Sequence, residues 1–70
     1  MTLTIHEGHN KLYLIVATRN PAFGNYPLAS QRGNGYYCTD IQTHNVYHEL
    51  RDIADWVNNE LGDECIFEID

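Results

Sequence analysis

The stretch NVYHELRDIADWVNNELG, residues 45–62, decides the fold of this 70-residue chain. Its apolar side chains recur at intervals of three and four residues, which places them along one side of an α-helix. They are Val46, Leu50, Ile53, Ala54, Val57 and Leu61. Asn45 is a candidate N-cap, with Thr43 as the alternative, and Gly62 follows the last apolar residue, where a left-handed C-cap needs glycine. The pattern predicts one amphipathic helix.

The segments around this helix have the patterns of β-strands. Residues 2–6 (TLTIH) and 64–69 (ECIFEI) alternate polar and apolar side chains, as half-buried strands do. Residues 11–19 (KLYLIVATR) are almost continuously apolar, which predicts a central strand covered on both faces. Residues 7–10 (EGHN) separate the first two strands and predict a turn.

The middle of the chain is less regular. Residues 20–27 (NPAFGNYP) contain two prolines and a glycine and predict an irregular segment. Residues 28–32 suit a short strand, and Asn34-Gly35 favours a two-residue hairpin turn into a strand at 36–41. Without that turn, residues 20–35 would form one long loop, and such loops usually carry function.

These elements predict an α+β fold in a single domain spanning residues 1–70. A small antiparallel sheet of four to five strands would carry the one amphipathic helix on one face, because each apolar face must be buried against another element. The order along the chain would be two or three strands, a further strand, the helix and a last strand.

Charge is distributed unevenly along the chain, whose formal net charge is −6 at pH 7. Residues 1–39 contain one acidic and three basic residues, whereas residues 40–70 contain nine acidic residues and one arginine. The nine are Asp40, Glu49, Asp52, Asp55, Glu60, Asp63, Glu64, Glu68 and Asp70. Direct binding to nucleic acid is not expected, because it requires a basic patch that releases counterions from phosphates. The imbalance favours a basic protein as the partner.

The outer face of the predicted helix is the first candidate site. Its residues are Glu49, Asp52, Asp55, Trp56 and Glu60. A large aromatic side chain framed by acids is typical of an interface that faces a basic partner. The alternative is a solvated helix face whose tryptophan folds back onto the sheet. The acids of the last strand are expected to join this surface, and acids spaced along it could imitate the phosphates of DNA.

A second candidate surface is formed by Phe23, Tyr26 and Arg32. Aromatic side chains interleaved with bases can stack on nucleobases. The alternative is that these aromatic side chains complete the core of the sheet. The sequence leaves both interpretations open.

The remaining reactive residues do not form a catalytic or metal-binding motif. His44 and His48 stand four residues apart, a spacing that zinc sites use, but no further ligand pattern accompanies them. Cys38 and Cys65 do not form a Cys-x-x-Cys pair, and Ser30 lacks the glycines of a nucleophile elbow. We therefore expect two reduced thiols, no cofactor, no metal and no enzymatic activity.

The strand–strand–helix–strand outline and the acidic second half are similar in kind to small phage-encoded inhibitors, such as anti-CRISPR proteins and phage inhibitors of bacterial RNA polymerase. They also resemble the HicB type of antitoxin, in which one helix crosses a sheet. The resemblance is one of architecture, without a diagnostic motif. It implies an inhibitor of a basic, nucleic-acid-handling protein.

Two other functions remain open from the sequence. An oligomerising scaffold or antitoxin-like domain could form a homodimer through exposed strand edges, at residues 2–6 or 64–69. A metal-dependent or ribonuclease-like enzyme that uses His48 is the third hypothesis. The N-terminus lacks the basic and apolar regions of a signal peptide, so we expect a cytoplasmic protein that does not act at a membrane.

Overall fold

The computed structural model describes residues 1–8 and 11–70, apart from the side chains of Thr39 and Asp40. Five strands form one sheet in the order β3-β4-β2-β1-β5. The strands are β1 (Thr2–Glu7), β2 (Tyr13–Thr18), β3 (Ser30–Arg32), β4 (Gly35–Gln42) and β5 (Ile66–Ile69). Helix α1 (Val46–Trp56) lies between β4 and β5, with a 3₁₀ turn before it (Thr43–Asn45) and a π-helical turn after it (Val57–Leu61).

The predicted α+β fold with one helix on a small sheet is confirmed, but the sheet is mixed rather than wholly antiparallel. β5 pairs with β1 in parallel, with Phe67 opposite Leu3 and Ile69 opposite Ile5. Because β1 and β4 are each antiparallel to β2, they run in the same direction. The helix returns the chain to the end of the sheet where β4 began, so the strand after it runs parallel to both.

The core lies between α1 and one face of the sheet. In the strand register Ile5 is opposite Val16, and Val16 is opposite Cys38. Alternate residues point to the same face, so these side chains lie together beneath the helix. The buried apolar residues are Leu3, Ile5, Val16, Phe23, Tyr26, Cys38, Ile41, Ile53 and Val57.

β2 is the central strand, as predicted, but the expectation that it is covered on both faces is wrong. Tyr13, Ile15 and Ala17 point away from the helix and are only half-buried. Their apolar character made the strand resemble one that is buried on both sides. Part of the predicted turn at residues 7–10 lies outside the described residues, while the Gly8 N–H donates to the Tyr13 carbonyl oxygen at 2.8 Å and prolongs the hairpin.

The irregular segment before β3 is packed into the core. Asn20 Oδ1 accepts a hydrogen bond from the Ala22 N–H at 3.0 Å and begins a 3₁₀ turn over Pro21–Asn25. Phe23 in this turn is 0% exposed, and its ring stacks on that of Tyr26 with centroids 5.6 Å apart. The segment therefore extends the core beyond the helix and does not project as a loop.

The hairpin between β3 and β4 forms one residue earlier than predicted. Its loop is Gly33-Asn34, because Arg32 pairs with Gly35 and Gly35 is the first residue of β4. Gly33 has a φ of 59°, a left-handed conformation that glycine adopts without steric cost. The expected Asn34-Gly35 turn is therefore wrong by one position.

The helix ends as predicted but begins differently. Gly62 is left-handed, with φ 62° and ψ 31°, and its N–H donates to the Asn58 carbonyl oxygen at 3.1 Å. Asn45 precedes α1, but its side chain makes no capping hydrogen bond. The 3₁₀ turn replaces the cap, because the Val46 N–H donates to the Thr43 carbonyl oxygen.

Candidate functional site

Four carboxylates lie on the side of α1 and its π-helical turn that faces away from the sheet. They are Glu49, Asp52, Asp55 and Glu60, and we call them the acidic helix face. Three are exposed and Glu49 is half-buried. Among the side chains that the structure describes, none of the four forms an ion pair with an arginine or a lysine. Their negative charge is therefore available to a partner.

Trp56 borders the acidic helix face and also belongs to the structure of the core. Its ring meets that of Tyr26 edge to face, with centroids 5.2 Å apart and an interplanar angle of 72°. It is half-buried and packs against the core residues. The tryptophan therefore folds partly onto the domain, and only the remaining part of its indole can contact a partner.

Tyr26 connects this border to the electrostatics of the helix. Burial raises the pKa of the Tyr26 phenol, and Cys38, Asp52 and Glu49 raise it further in that order. The carboxylates of Glu49 and Asp52 therefore influence the Tyr26 phenol electrostatically.

The acids of the last strand do not join the acidic helix face, contrary to expectation. Phe67 and Ile69 share the helix-covered face with Leu3 and Ile5, so Glu68 and Asp70 lie on the opposite face of the sheet. Asp70 Oδ2 lies 2.7 Å from His6 Nδ1, a pair that the sequence pattern did not indicate. Glu68 and Asp70 thus lie apart from the acidic helix face.

Asp63 is also withdrawn from the expected surface. Its carboxylate accepts a hydrogen bond from the N-terminal ammonium group at 2.9 Å, and that group also donates to the Glu64 carbonyl oxygen at 2.7 Å. The bond to the ammonium group is the main cause that lowers the pKa of Asp63, and the Glu64 N–H adds to it. Asp63 therefore holds the chain terminus against the start of β5.

The second candidate surface is not formed as predicted. Phe23 is 0% and Tyr26 8% exposed, whereas Arg32 is exposed at the edge strand β3. The small sheet needs these rings to complete its core, so they cannot stack on a nucleobase. The interpretation of the aromatic residues as core is the correct one.

The reactive residues do not converge in the described part of the chain. No group of three or more His, Cys, Asp or Glu side chains there is placed to hold a metal ion. His44 and His48 are both exposed, and the His48 ring contacts that of Tyr47. Cys38 and Cys65 are thiols that contact the same core, and burial raises the pKa of Cys65.

An apolar groove, which the sequence pattern did not indicate, lies between the start of α1 and the sheet. It has a volume of about 720 Å³. Its walls are Ile5, His6, Glu7, Leu14, Val46, Leu50, Ile69 and Asp70. The walls come from four separate elements. The spacing of Val46 and Leu50 predicts a helix and the alternation around Ile69 predicts a strand, but neither pattern shows that these side chains meet.

One of the two strand edges proposed for a homodimer is not an edge. β1 lies between β2 and β5, so residues 2–6 are paired on both sides. β5 is an outer strand, and its Ile66 and Ile69 are 51% and 86% exposed. The sequence pattern indicated these strands but not their order in the sheet.

Comparison of this chain with protein-family models, curated proteins and solved structures gives no match. In the described residues, no helix has the length and apolar character needed to cross a membrane. Any assignment of function therefore depends on the surfaces described above.

Proposed function

We propose that this chain is a protein-binding module that docks on a cationic surface of its partner through the acidic helix face. The observation that supports the proposal is the set of four carboxylates on one helix side without basic partners among the described side chains. A formal net charge of −6 on 70 residues adds long-range attraction to a basic protein. The exposed part of Trp56 supplies a rigid apolar contact beside these charges.

The class of partner follows from the same chemistry. Proteins that handle nucleic acids have basic surfaces that bind phosphates, and an acidic protein docked there excludes the nucleic acid. The module would therefore act as an inhibitor of such a protein, in the manner of the phage-encoded inhibitors that its outline resembles.

Charge spacing limits how far this surface can imitate DNA. Glu49 and Glu60 are eleven residues apart, a separation of about 16 Å at a helical rise of 1.5 Å per residue. The four carboxylates divide that length into three intervals of about 5.5 Å on average, against about 1.7 Å for duplex DNA and 3.4 Å for one strand. The face thus has a lower charge density than a single strand and a much lower one than a duplex.

A pair of variants with the same net charge tests the proposal. Asp52→Asn with Asp55→Asn, and Gln31→Lys with Asn34→Lys, each raise the formal net charge from −6 to −4. The first pair changes the acidic helix face, and the second changes exposed residues at the β3–β4 hairpin. Each chain serves as bait in affinity capture from cell extract at low and high salt, with quantification by mass spectrometry.

We expect the helix pair to weaken capture of a basic protein by roughly fivefold to tenfold, because exposed interface charges contribute up to about 1 kcal/mol each. The hairpin pair should retain capture, and high salt should weaken capture by the unmodified chain. Equal loss in both pairs would show that net charge alone acts. Full retention in the helix pair would remove the acidic helix face as the binding surface.

A further inference from the structure

The outer side of β5 has unpaired backbone groups. The Ile66 N–H donates to the Met1 carbonyl oxygen at 2.8 Å, and the Asp70 N–H donates to that of Ile5 at 3.0 Å. In a parallel pair, alternate residues bond to the same neighbour, so the N–H and C=O groups of Phe67 and Ile69 point away from β1. Within residues 1–8 and 11–70, the sheet order places no strand on that side. Such a row of groups can pair with another extended segment.

The two faces beside this edge differ in chemistry. On the helix-covered face, Ile69 is 86% exposed and borders the apolar groove, whose walls include Leu14 and Leu50. On the opposite face lies the carboxylate of Glu68, and Asp70, which follows Ile69 and lies 2.7 Å from His6, lines the groove as well. A strand added to β5 would present its side chains alternately to the groove and to these acids.

Charge opposes a second copy of this chain as the occupant of the edge. Residues 63–70 contain four acids and no base, and Glu7 adds another carboxylate at the groove. Two β5 strands paired with each other would bring these acids together, and like charges on facing strands are destabilising. Complementary charge requires Lys or Arg on the incoming segment.

We propose that the free edge of β5 binds an extended segment of a protein partner as a sixth strand, in which apolar residues alternate with Lys or Arg. The apolar side chains enter the groove beside Ile69, and the basic ones lie beside Glu68 and Asp70. Main-chain hydrogen bonds to Phe67 and Ile69 supply affinity, and the alternation supplies specificity. The assumption that the occupant belongs to a protein partner rests on the function proposed above, whereas the edge and the acids beside it do not depend on that function.

Synthetic peptides test this proposal directly. The probe is a capped seven-residue peptide that alternates lysine and valine, and its control is a peptide of the same composition with all the lysines before the valines. Amide hydrogen exchange of the ¹⁵N-labelled protein is measured by NMR. We expect the alternating peptide to slow exchange at Phe67 and Ile69 by roughly tenfold, as new hydrogen bonds protect these amides, and the block peptide to leave them unchanged. Equal effects of the two peptides would overturn the proposal.

Two variants at one position separate the backbone from the side chain. Ile69→Pro removes an outward N–H while the ladder to β1 stays intact, and proline is tolerated in an edge strand at such a position. Ile69→Ala keeps that N–H and removes only apolar contact. We expect the proline variant to lose peptide affinity by at least about tenfold and the alanine variant by about threefold. Unchanged affinity in the proline variant would exclude the edge.

Methylated peptides keep the test decisive if the proline variant does not fold. N-methylation of every second peptide amide removes either the donors that face β5 or those that face solvent. We expect one methylated peptide to lose binding and the other to retain it; equal binding of both contradicts strand addition.

Further measurements separate this inference from the function proposed above and from self-association. The Asp52→Asn, Asp55→Asn pair should bind the alternating peptide with an affinity within about twofold of that of the unmodified chain, because salt screens exposed charges that lie on another surface. Loss of peptide binding in that pair would assign the peptide to the acidic helix face and overturn the inference alone. A dimer that Ile69→Pro converts to a monomer would make a second copy the occupant and also overturn it.

Discussion

The two flanks of α1 face the same sheet but differ in how completely other parts of the chain cover them. Towards β4, the 3₁₀ turn Pro21–Asn25 packs against that strand, and Phe23 and Tyr26 fill the space. The Trp56 ring meets the Tyr26 ring edge to face. Towards β5, Val46 and Leu50 line a groove of about 720 Å³. Ile69 also lines it and is 86% exposed. One flank is closed by a segment of the chain, and the other is open.

The difference shows where this small domain places its stability and where it leaves room for binding. A chain of this length buries only about 60% of its unfolded surface, so its stability depends on a few large side chains. The closed flank contains these aromatic side chains. The open flank exposes apolar area that contributes little to folding, which is the kind of surface that a partner can cover.

Truncation of one apolar residue on each flank tests whether the closed flank contributes more to the free energy of unfolding than the open one. Phe23→Ala leaves a cavity in the core and should lower the free energy of unfolding by about 3 to 5 kcal/mol, enough to unfold much of so small a domain. Ile69→Ala removes a largely exposed side chain and should change it by less than about 0.5 kcal/mol. Urea denaturation followed by circular dichroism measures both values. Similar losses in the two variants would mean that the two flanks are packed equally well in solution.

Most of the fold could be predicted from local pattern. The stripe from Val46 to Leu61 fixes the helix, and Gly62 fixes its end, because both signals depend on residues close together in the sequence. The parallel pairing of β5 with β1 could not be predicted, since it depends on which way the helix returns the chain. The hairpin loop at Gly33-Asn34 was misplaced by one residue because Asn34 has a glycine on each side, and the sequence pattern does not tell Gly33-Asn34 from Asn34-Gly35.

The candidate site was predictable only in part. The acidic helix face follows from helical spacing, and the structure leaves its four carboxylates without basic partners among the described side chains. The fate of Glu68 and Asp70 could not be predicted, because the face on which they lie depends on the register of β5 with β1. The free edge at Ile69 depends on the order of the strands in the sheet, so the sequence pattern contains no direct signal for either.

Titration of Tyr26 tests the burial of the closed flank, and its expected effect on the free energy of unfolding is smaller than that of Phe23→Ala. Its pKa is raised in the folded protein, mainly by burial and also by Cys38, Asp52 and Glu49. A raised pKa means that the folded state favours the neutral phenol. The resulting stability is complete below the unfolded pKa of about 10 and is lost as the pH rises through the higher folded value.

The free energy of unfolding, measured in urea between about pH 9 and 11, should therefore fall with rising pH. Tyr26→Phe cannot ionise and should show a shallower fall, whereas Tyr47→Phe, at an exposed position, should follow the unmodified chain. If Tyr26→Phe and Tyr47→Phe show identical slopes, Tyr26 is not shielded by the 3₁₀ turn and the helix. The closed flank would then be more open than its contacts indicate.

The smallest expected change in the free energy of unfolding concerns the two asparagines that precede helical turns. Asn20 begins the 3₁₀ turn of the closed flank, and its Oδ1 accepts from the Ala22 N–H at 3.0 Å. Asn45 precedes α1 beside the open flank, and its side chain makes no capping hydrogen bond. Sequence preference alone assigns both the same role, whereas the structure gives a cap only to Asn20.

Asn20→Ala should therefore lower the free energy of unfolding by about 1 kcal/mol, and Asn45→Ala should change it by no more than a few tenths. Thermal and urea unfolding of the two single variants and the double variant measure these values, and the double variant should equal the sum because the sites share no partner. A larger loss at Asn45 would mean that its side chain caps α1 in solution. The start of α1, and with it the position of Val46 in the groove, would then be stabilised by the Asn45 side chain and not only by the 3₁₀ turn before it.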